Sequence, residues 1–301
     1  MQLSQVDHLM TPRNALLAIH LGALMFGLSG VLGKLAESSA LIITFGRALF
    51  AVLALLIVAQ LLRPSGATPN WRQRGGLALG GLLLGAHWLT FFIAVKIAGV
   101  GIATLGFASF PAFTVLLEGL LFRERTRPVE FAMVGLVCAG LLLVAPAFDL
   151  SSGPTAGLLY GVLSGLLFAL LSLLNRAVTR GLDPVRSALW QNLAILAGLL
   201  PFSWSAIPAI SAQDWLWLAL LGVLCTGLAH SLFVASLRVL KARTTSVIFA
   251  LEPVYGIAFA WWLFNEQPTL GMLLGGALII IASVITSRLK SPPSITAKPV
   301  S

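Results

Sequence analysis

Long apolar stretches alternate with short polar links along most of the chain. About 20 apolar residues are needed for an α-helix to cross roughly 30 Å of hydrocarbon at 1.5 Å per residue. The links are rich in the proline, glycine, serine and asparagine residues that end helices. The pattern predicts an all-α polytopic membrane protein with ten membrane-spanning helices, numbered here as spans one to ten. They cover residues 14–36, 40–62, 75–96, 101–122, 128–148, 154–176, 186–205, 214–238, 244–264 and 268–289.

The second half of the chain repeats the first at an offset of 142 residues. The matching pairs include Gly80 with Gly222, Phe107 with Phe249, Pro111 with Pro253, Glu124 with Glu266, and Lys34 with Arg176. Each copy contains five predicted spans, an odd number, so the second copy must enter the membrane from the opposite side. Inverted repeats are typical of secondary transporters, which bind substrates between the two halves.

The distribution of charge agrees with this topology. Sixteen of the 19 lysines and arginines fall in one alternate set of links, and the positive-inside rule therefore places both termini in the cytoplasm. The predicted parts are a cytoplasmic N-terminal segment (1–13), two inverted five-helix repeats (14–148 and 152–289) around a central cavity, and a disordered cytoplasmic tail (290–301).

Composition excludes several classes of protein. The chain is 58% hydrophobic and 10% charged, whereas about a quarter of the residues in soluble proteins are charged. The net charge of +9 does not indicate a nucleic-acid partner, because the basic residues are dispersed between apolar runs. Cys138 and Cys225 lie in apolar runs without CxxC spacing, so we expect two core residues and no disulfide or zinc site. No Walker loop is present, and we expect no metal and no cofactor.

Ionisable side chains within the spans are the first candidates for function, because charges in hydrocarbon usually face a bundle interior or a wet cavity. Glu252 precedes Pro253, whose missing N–H frees a backbone carbonyl one turn earlier. This pair could form a site for a substrate ammonium group or a proton at a broken helix. The alternative is a glutamate satisfied by neighbours at a structural kink, since the equivalent residue of the first half is Phe110.

Two histidines occupy nearly equivalent repeat positions, because His230 aligns with Trp88, the neighbour of His87. Their imidazoles could bind substrate or carry protons. Hydrogen-bonded core histidines are the alternative. Neither interpretation is excluded by the sequence.

Three further charged residues lie nearer to the ends of spans. Glu118 is one turn from the cytoplasmic edge and is expected to form an ion pair, act in gating or contact substrate. Arg47 and Lys34 lie near the outer side and could attract a carboxylate. For both we favour snorkelling, in which the charged end reaches the lipid headgroups.

Aromatic residues at a similar depth could line an apolar pocket for a substrate side chain, with core packing as the alternative. They are Trp88, Phe91, Phe107, Tyr160, Trp190 and Tyr255. Pro111 and Pro253 are expected to allow bends in their helices.

One pattern suggests an enzyme. Gly27-Leu28-Ser29-Gly30 matches the GxSG of rhomboid intramembrane proteases, and His87 or His230 could serve as the base. The pattern is weak in a chain with 29 glycines, and ten spans in two inverted copies fit that fold badly. We therefore do not expect an enzyme.

Each half also contains a Phe-x-Glu link between its last two spans, Phe122-Arg123-Glu124 and Phe264-Asn265-Glu266. With the ten-span duplication, the sequence resembles the EamA-type drug/metabolite transporter superfamily over about residues 14–289. It looks most like the YddG-type amino-acid exporters of Gram-negative inner membranes.

The resemblance implies a monomeric, basket-like bundle in the bacterial inner membrane, with a cavity lined by spans one, three, four, six, eight and nine. It implies export of amino acids, apolar and aromatic ones included, or of similar small amphipathic metabolites. Drugs, nucleosides or sugar derivatives are alternatives on the same fold. The partners are then a small-molecule substrate and the lipid bilayer. The predicted substrate contacts are His87, Trp88, Phe91, Phe107, Trp190, His230, Glu252 and Tyr255, and the predicted bend and gating residues are Pro111, Glu118 and Pro253.

Overall fold

The computed structural model describes residues 11–62, 67–121, 127–144, 152–237, 239–240 and 242–288. These residues are almost entirely helical, without a strand. The predicted tail 290–301, most of the segment 1–13 and the link 122–124 lie outside them. The α-helices are α1 (Pro12–Leu35), α2 (Ala40–Leu62), α3 (Trp71–Phe107), α4 (Phe110–Leu121), α5 (Pro128–Val144), α6 (Gly153–Val178), α7 (Pro184–Ser203), α8 (Ala212–Gly222), α9 (Ala229–Leu237), α10 (Ala242–Phe249), α11 (Glu252–Phe264) and α12 (Leu270–Arg288).

Two short helical segments complete the described fold. A 3₁₀ helix (Trp204–Ala209) continues α7, and a π-helix (Val223–Leu228) joins α8 to α9. By length and composition, six helical stretches in the described part can cross a membrane. Large apolar side chains such as Leu61, Phe202 and Trp262 point away from the bundle. Such a surface suits a lipid environment, as predicted for a polytopic membrane protein.

Span three and the beginning of span four are contained in α3, and the chain reverses between them at Gly99, where φ is +81°. Gly76 packs against Val178 near the end of α6, whereas Gly157 near the beginning of α6 packs against Ala98. The part of α3 before Gly99 therefore runs antiparallel to α6. A positive φ is easily adopted by glycine, which has no Cβ.

The part of α3 after Gly99 runs parallel to α6, because Gly161 and Gly165 lie against Ala103 and Phe107 in the same order. A Cβ atom at Gly161 would lie 2.9 Å from the Ala103 carbonyl oxygen. Small residues at four-residue spacing let two helices approach this closely.

The two repeats are inverted. Glu266 forms an ion pair with Lys34 at the end of α1 and accepts a hydrogen bond from the Val100 N–H, just after the Gly99 reversal. The beginning of α6 lies at this same end of the bundle, since Gly153 packs against Ile97. The equivalent helices α1 and α6 therefore run in opposite directions, which confirms the predicted inversion.

The packing of the helices follows the same symmetry. In the first repeat α1 packs against α9 and α11, and in the second repeat its equivalent α6 packs against α3 and α4. Helices α2 and α7, which are equivalent, pack against each other, as do α5 and α12. In the second of these contacts Gly140 meets the backbone of Gly275. The halves thus interlock around a common centre.

Span four and span nine are broken at equivalent positions. Helix α3 ends at Phe107 and α4 begins at Phe110; α10 ends at Phe249 and α11 begins at Glu252, each 142 residues later. Pro111 and Pro253 are the second residues of the new helices, where a missing N–H costs no intrahelical bond. The sequence pattern located these breaks but not their lengths.

One prediction about packing is wrong. Cys225 is buried as expected, but Cys138 is exposed on the surface of α5. A cysteine in an apolar run faces lipid as readily as the core, and hydropathy cannot separate the two.

Candidate functional site

A cavity of about 600 Å³ lies between the two repeats. Its wall extends from Arg47 and Trp88 to Glu118 and Asn175. Spans one, three, four, six, eight and nine contribute to the wall, as the resemblance implied, but spans two, seven and ten contribute as well. The wall includes nine of the predicted site residues, namely His87, Trp88, Phe91, Phe107, Pro111, Glu118, His230, Glu252 and Pro253.

Two predicted substrate contacts lie elsewhere. Trp190 is 42% exposed on α7 and is not part of the cavity wall. Tyr255 faces α1, where its hydroxyl lies 3.2 Å from Nδ1 of His20 and its Cβ packs against Gly27. The structure corrects the prediction for both, because similar depth in the membrane does not fix the direction in which a side chain points.

Phenylalanines form two symmetric clusters in the cavity wall. In the first, the Phe107 ring lies 6.1 Å from Phe91 and 5.4 Å from Phe168, measured between centroids. In the second, Phe249 lies 5.6 Å from Phe233 and 5.2 Å from Phe26. Each residue of one cluster is the repeat equivalent of a residue in the other. We call them the phenylalanine triads. Each triad takes two rings from one repeat and one from the other.

The two histidines have different environments. His87 is buried, and its Nδ1 lies 2.7 Å from the Ser164 hydroxyl oxygen. Its ring also packs on Phe107 and Phe168 of the first triad. His230 lines the cavity without a hydrogen-bond partner among the described residues. His87 is thus a hydrogen-bonded wall residue, and His230 has the greater freedom to contact a solute.

For Arg47 the sequence favoured snorkelling, with attraction of a carboxylate as the alternative, and the snorkelling is wrong. Its side chain is only 4% exposed and turns into the bundle. Nε donates to the Thr226 hydroxyl at 2.9 Å, and Nη1 donates to the Ser29 hydroxyl at 2.9 Å. The guanidinium carbon stands 4.0 Å from the ring centroid of Trp88, a cation–π distance.

Local structure explains this position. Thr226 belongs to the π-helix, where its hydroxyl donates to the Leu221 carbonyl five residues earlier. Such π-segments often occur at functional sites. The sequence did contain a signal for the inward orientation of Arg47. Thr44 and Ala51 lie on the same face of α2, and small residues indicate a face that packs against other helices rather than lipid.

Glu252 is the first residue of α11, at the break in span nine, and is 9% exposed. Its carboxylate faces the cavity, and no described residue donates a hydrogen bond to it. The positive end of a helix dipole favours a negative charge at this position. Glu252 is therefore an acid held toward the cavity by backbone geometry rather than by a side-chain partner.

One end of the bundle, which we call the outer end because the charge pattern predicts it to be external, is tied together by polar contacts. Lys34 pairs with Glu266, and Lys96 donates to the Ala36 carbonyl. Asp214 accepts hydrogen bonds from the backbone N–H groups of Glu37 at 2.9 Å and Ser38 at 2.8 Å, and from the Ser38 hydroxyl. None of these side chains belongs to the cavity wall.

The cavity reaches toward the opposite, inner end. Glu118 and Asn175 are part of the wall there. Glu118 forms an ion pair with Arg176 across the two repeats, with the Arg176 Nη1 to Glu118 Oε1 distance 2.7 Å. An ion pair of Glu118 was one of the predicted alternatives, but the sequence suggested Arg123 or Arg125, which lie outside the described residues, and the observed partner is Arg176. A role of Glu118 in gating stays a prediction.

The serine of the GxSG pattern does not meet a histidine. Ser29 accepts its hydrogen bond from Arg47, and His87 pairs with Ser164. The Ser–His hydrogen bond that a serine protease needs is therefore not formed by Ser29 in the described part of the chain.

Comparison with known proteins decides the family. The model of the EamA-like transporter family matches this chain twice, over residues 13–145 and 155–288. The chain belongs to the EamA-like transporter family. The two matches correspond to the two repeats seen in the fold. As an EamA-like transporter, it is a multi-pass membrane protein that carries small molecules.

Several relatives of this EamA-like transporter span most of its length. An uncharacterized transporter of Archaeoglobus fulgidus is 28% identical over 90% of this chain and 95% of its own. The pseudopaline exporter CntI of Pseudomonas aeruginosa is 23% identical over 78% of this chain and 82% of its own. A riboflavin transporter of Brucella anthropi is 28% identical over 62% of this chain and 67% of its own. The last two relatives are named for different solutes, so the family alone does not name a substrate.

Proposed function

We infer that this EamA-like transporter is a secondary transporter of the bacterial inner membrane that exports amino acids, apolar and aromatic ones included, or similar small amphipathic metabolites. The cavity between the inverted repeats carries this inference. It is tied shut at the outer end and reaches toward the inner end, as expected for one state of an alternating-access cycle.

The lining favours amphipathic solutes. The phenylalanine triads give an apolar wall, and a small number of polar side chains, among them Gln191, Asn192 and Asn175, interrupt it. Binding sites for small molecules typically combine a mostly apolar surface with a few polar groups that orient the ligand. The cavity volume lies within the usual range of about 300–1,000 Å³ for such sites.

Other features support the direction of transport, the cytoplasmic position of the termini and the monomeric state. The exporter of Pseudomonas aeruginosa supports export as a mode of action on this fold. The excess of basic residues in alternate links supports cytoplasmic termini. The cavity and the contacts that tie the outer end are built within a single chain, so a monomer suffices for this cycle.

Efflux from proteoliposomes that contain the purified protein tests the proposal. Vesicles are loaded with a panel of labelled amino acids, together with a nucleoside, a sugar derivative and riboflavin. We expect faster loss of apolar and aromatic amino acids than from protein-free vesicles. Intact protein that releases none of the amino acids would refute amino-acid export, and release of only the other solutes would favour the alternative substrates.

A pair of variants on one helix links the transport to the cavity. Ser172 lines the cavity, and Leu163 on the same helix is exposed on the outside of the bundle. Ser172→Trp fills cavity space and should abolish efflux, whereas Leu163→Trp should leave it intact. Equal efflux by both variants would argue against passage through this cavity.

A further inference from the structure

Arg47 brings a buried positive charge to the cavity, and its described partners are all neutral. The Thr226 and Ser29 hydroxyls and the Trp88 ring contact the guanidinium, but no carboxylate among the described residues forms an ion pair with it. A buried charge without a counter-ion is expensive in a membrane and marks a functional position. Glu252 is an acid whose charge acts on Arg47 from a distance, but no ion-pair contact joins the two side chains.

The guanidinium also has unused hydrogen-bonding capacity. It carries five N–H donors, of which the contacts to Thr226 and Ser29 use two, leaving three. These contacts hold the planar group on the cavity wall and fix its orientation. Arginine binds carboxylates through two parallel N–H groups, so a carboxylate is the ligand that suits it best.

Glu252 supplies the complementary charge from the other repeat. It lines the same cavity, lacks a described hydrogen-bond donor, and does not form an ion pair with Arg47. An ammonium group would neutralise this carboxylate. The cavity thus presents a basic side chain on α2 and an acidic side chain on α11 that are not in contact with each other, on a wall that is otherwise mostly apolar.

The phenylalanine triads indicate an apolar or aromatic side chain on the ligand. Their six rings line the cavity around these two charges and offer an apolar surface for a side chain. Aromatic rings pack well on one another, in offset or edge-to-face arrangements. A solute with one carboxylate, one ammonium group and an apolar or aromatic side chain matches all three features.

On this basis we propose that Arg47 and Glu252 together form a zwitterion site, in which Arg47 binds the carboxylate and Glu252 binds the ammonium group of one transported molecule. The proposal rests on the proposed transport function and narrows its substrate to zwitterions. Solutes with only one of the two charges leave either Arg47 or Glu252 unpaired and bind more weakly.

Three ligands with the same phenyl ring test this site. L-phenylalanine carries both charges, 3-phenylpropionate only the carboxylate, and phenethylamine only the ammonium group. Binding is measured as the rise in the thermal unfolding temperature of the purified full-length protein in detergent, over a range of ligand concentrations. We expect half-maximal stabilisation by L-phenylalanine at a concentration at least about tenfold lower than for either analogue.

Charge-removing variants assign the two groups. Arg47→Gln should weaken L-phenylalanine binding by about tenfold and leave phenethylamine binding unchanged. Glu252→Gln should weaken L-phenylalanine binding similarly and leave 3-phenylpropionate binding unchanged. Arg180→Gln and Glu37→Gln, which remove charges outside the cavity wall, serve as controls. A misfolded variant would lose all three ligands, so this crossed pattern separates a site from a structural role.

Several results would overturn the proposal. They are equal binding of the three ligands by the wild-type protein, absence of stabilisation by L-phenylalanine, or variants that fold yet bind every ligand as the wild type does. If neither variant folds, binding of the three ligands to the wild-type protein alone tests the zwitterion site. Zwitterion binding without efflux would refute only the transport function, and efflux of other solutes without zwitterion binding would refute only the zwitterion site.

Discussion

Lys34 and Glu266 form an ion pair that joins the two repeats at the outer end of the bundle. The Lys34 ammonium nitrogen also stands 4.6 Å from the centroid of the Phe264 ring. The repeat equivalent of Lys34 is Arg176, which pairs with Glu118 at the inner end. Equivalent cations thus bind acids of the opposite half at opposite ends of the protein. Contacts of this kind must change when the halves rock, which makes them candidates for gates.

The first prediction concerns the outer ion pair. Glu266→Gln removes the charge that holds Lys34 and weakens the contact to Val100, so the outer end should open more often. Cys225 lines the cavity and reports on this opening in a Cys138→Ser background. We expect a membrane-impermeant thiol reagent, added from outside, to label Cys225 several-fold faster in Glu266→Gln.

Glu37 provides the matched control for this experiment, because it lies at the same end and forms no described ion pair. Glu37→Gln should leave the labelling rate of Cys225 unchanged. Identical rates in Glu266→Gln and the parent protein would show that the ion pair does not close the outer end.

The second prediction concerns Asp214. Its carboxylate accepts the N–H groups of Glu37 and Ser38 and thereby fastens the link between α1 and α2 to the beginning of α8. Hydrogen bonds to a charged group contribute roughly 1.5–3 kcal/mol each. Asp214→Ala should therefore lower the unfolding temperature in detergent clearly, whereas Gln213→Ala at the exposed neighbouring position should not. A similar unfolding temperature for both variants would contradict this role.

The third prediction concerns helix packing. A side chain at Gly161 would collide with the Ala103 carbonyl and with Gly106, whose Cα would lie 3.1 Å from the new Cβ. Overpacking typically costs about 1–3 kcal/mol, and more where backbone atoms are in the way. Gly161→Val should lower thermal stability and the yield of folded protein. Gly135→Val is the control, since a Cβ there meets no atom within 4 Å. Comparable losses in both variants would refute the packing argument.

The fourth prediction concerns coupling to protons. If the Glu252 carboxylate takes up a proton during transport, Glu252→Gln should slow efflux and flatten its dependence on pH between about pH 6 and about pH 8. Arg47, His87 and His230 face the same cavity and remain in the variant. The test is to measure efflux across this pH range in Glu252→Gln and in the control Glu130→Gln, which removes an acid at the start of α5 outside the cavity wall. Unchanged efflux and pH dependence would make Glu252 part of the scaffold.

Much of the fold was predictable from the sequence. Hydropathy located the spans, and the 142-residue offset located the breaks before Pro111 and Pro253. Both signals are local or depend on a direct comparison of two segments. The reversal between spans three and four was also predicted, but its form was not, because a single glycine with positive φ at Gly99 replaces the longer link that a change of direction usually needs.

The candidate site was only partly predictable. Trp88 and Trp190 have the same side chain and similar membrane depth, yet the first lines the cavity and the second is exposed. Which face of a helix points inward depends on contacts between distant segments. The inward orientation of Arg47 was missed for the same reason, since it depends on Thr226, 179 residues away in the chain.

The equivalent residues Phe110 and Glu252 occupy the same structural place at the start of two symmetric helices but differ in chemistry. Duplication therefore produced a scaffold whose halves match in shape and differ in what they offer a passing molecule. A solute held between them meets a ring on one side and a carboxylate on the other. The proposed pathway therefore differs in chemistry between its two sides, even though the surrounding helices are related by symmetry.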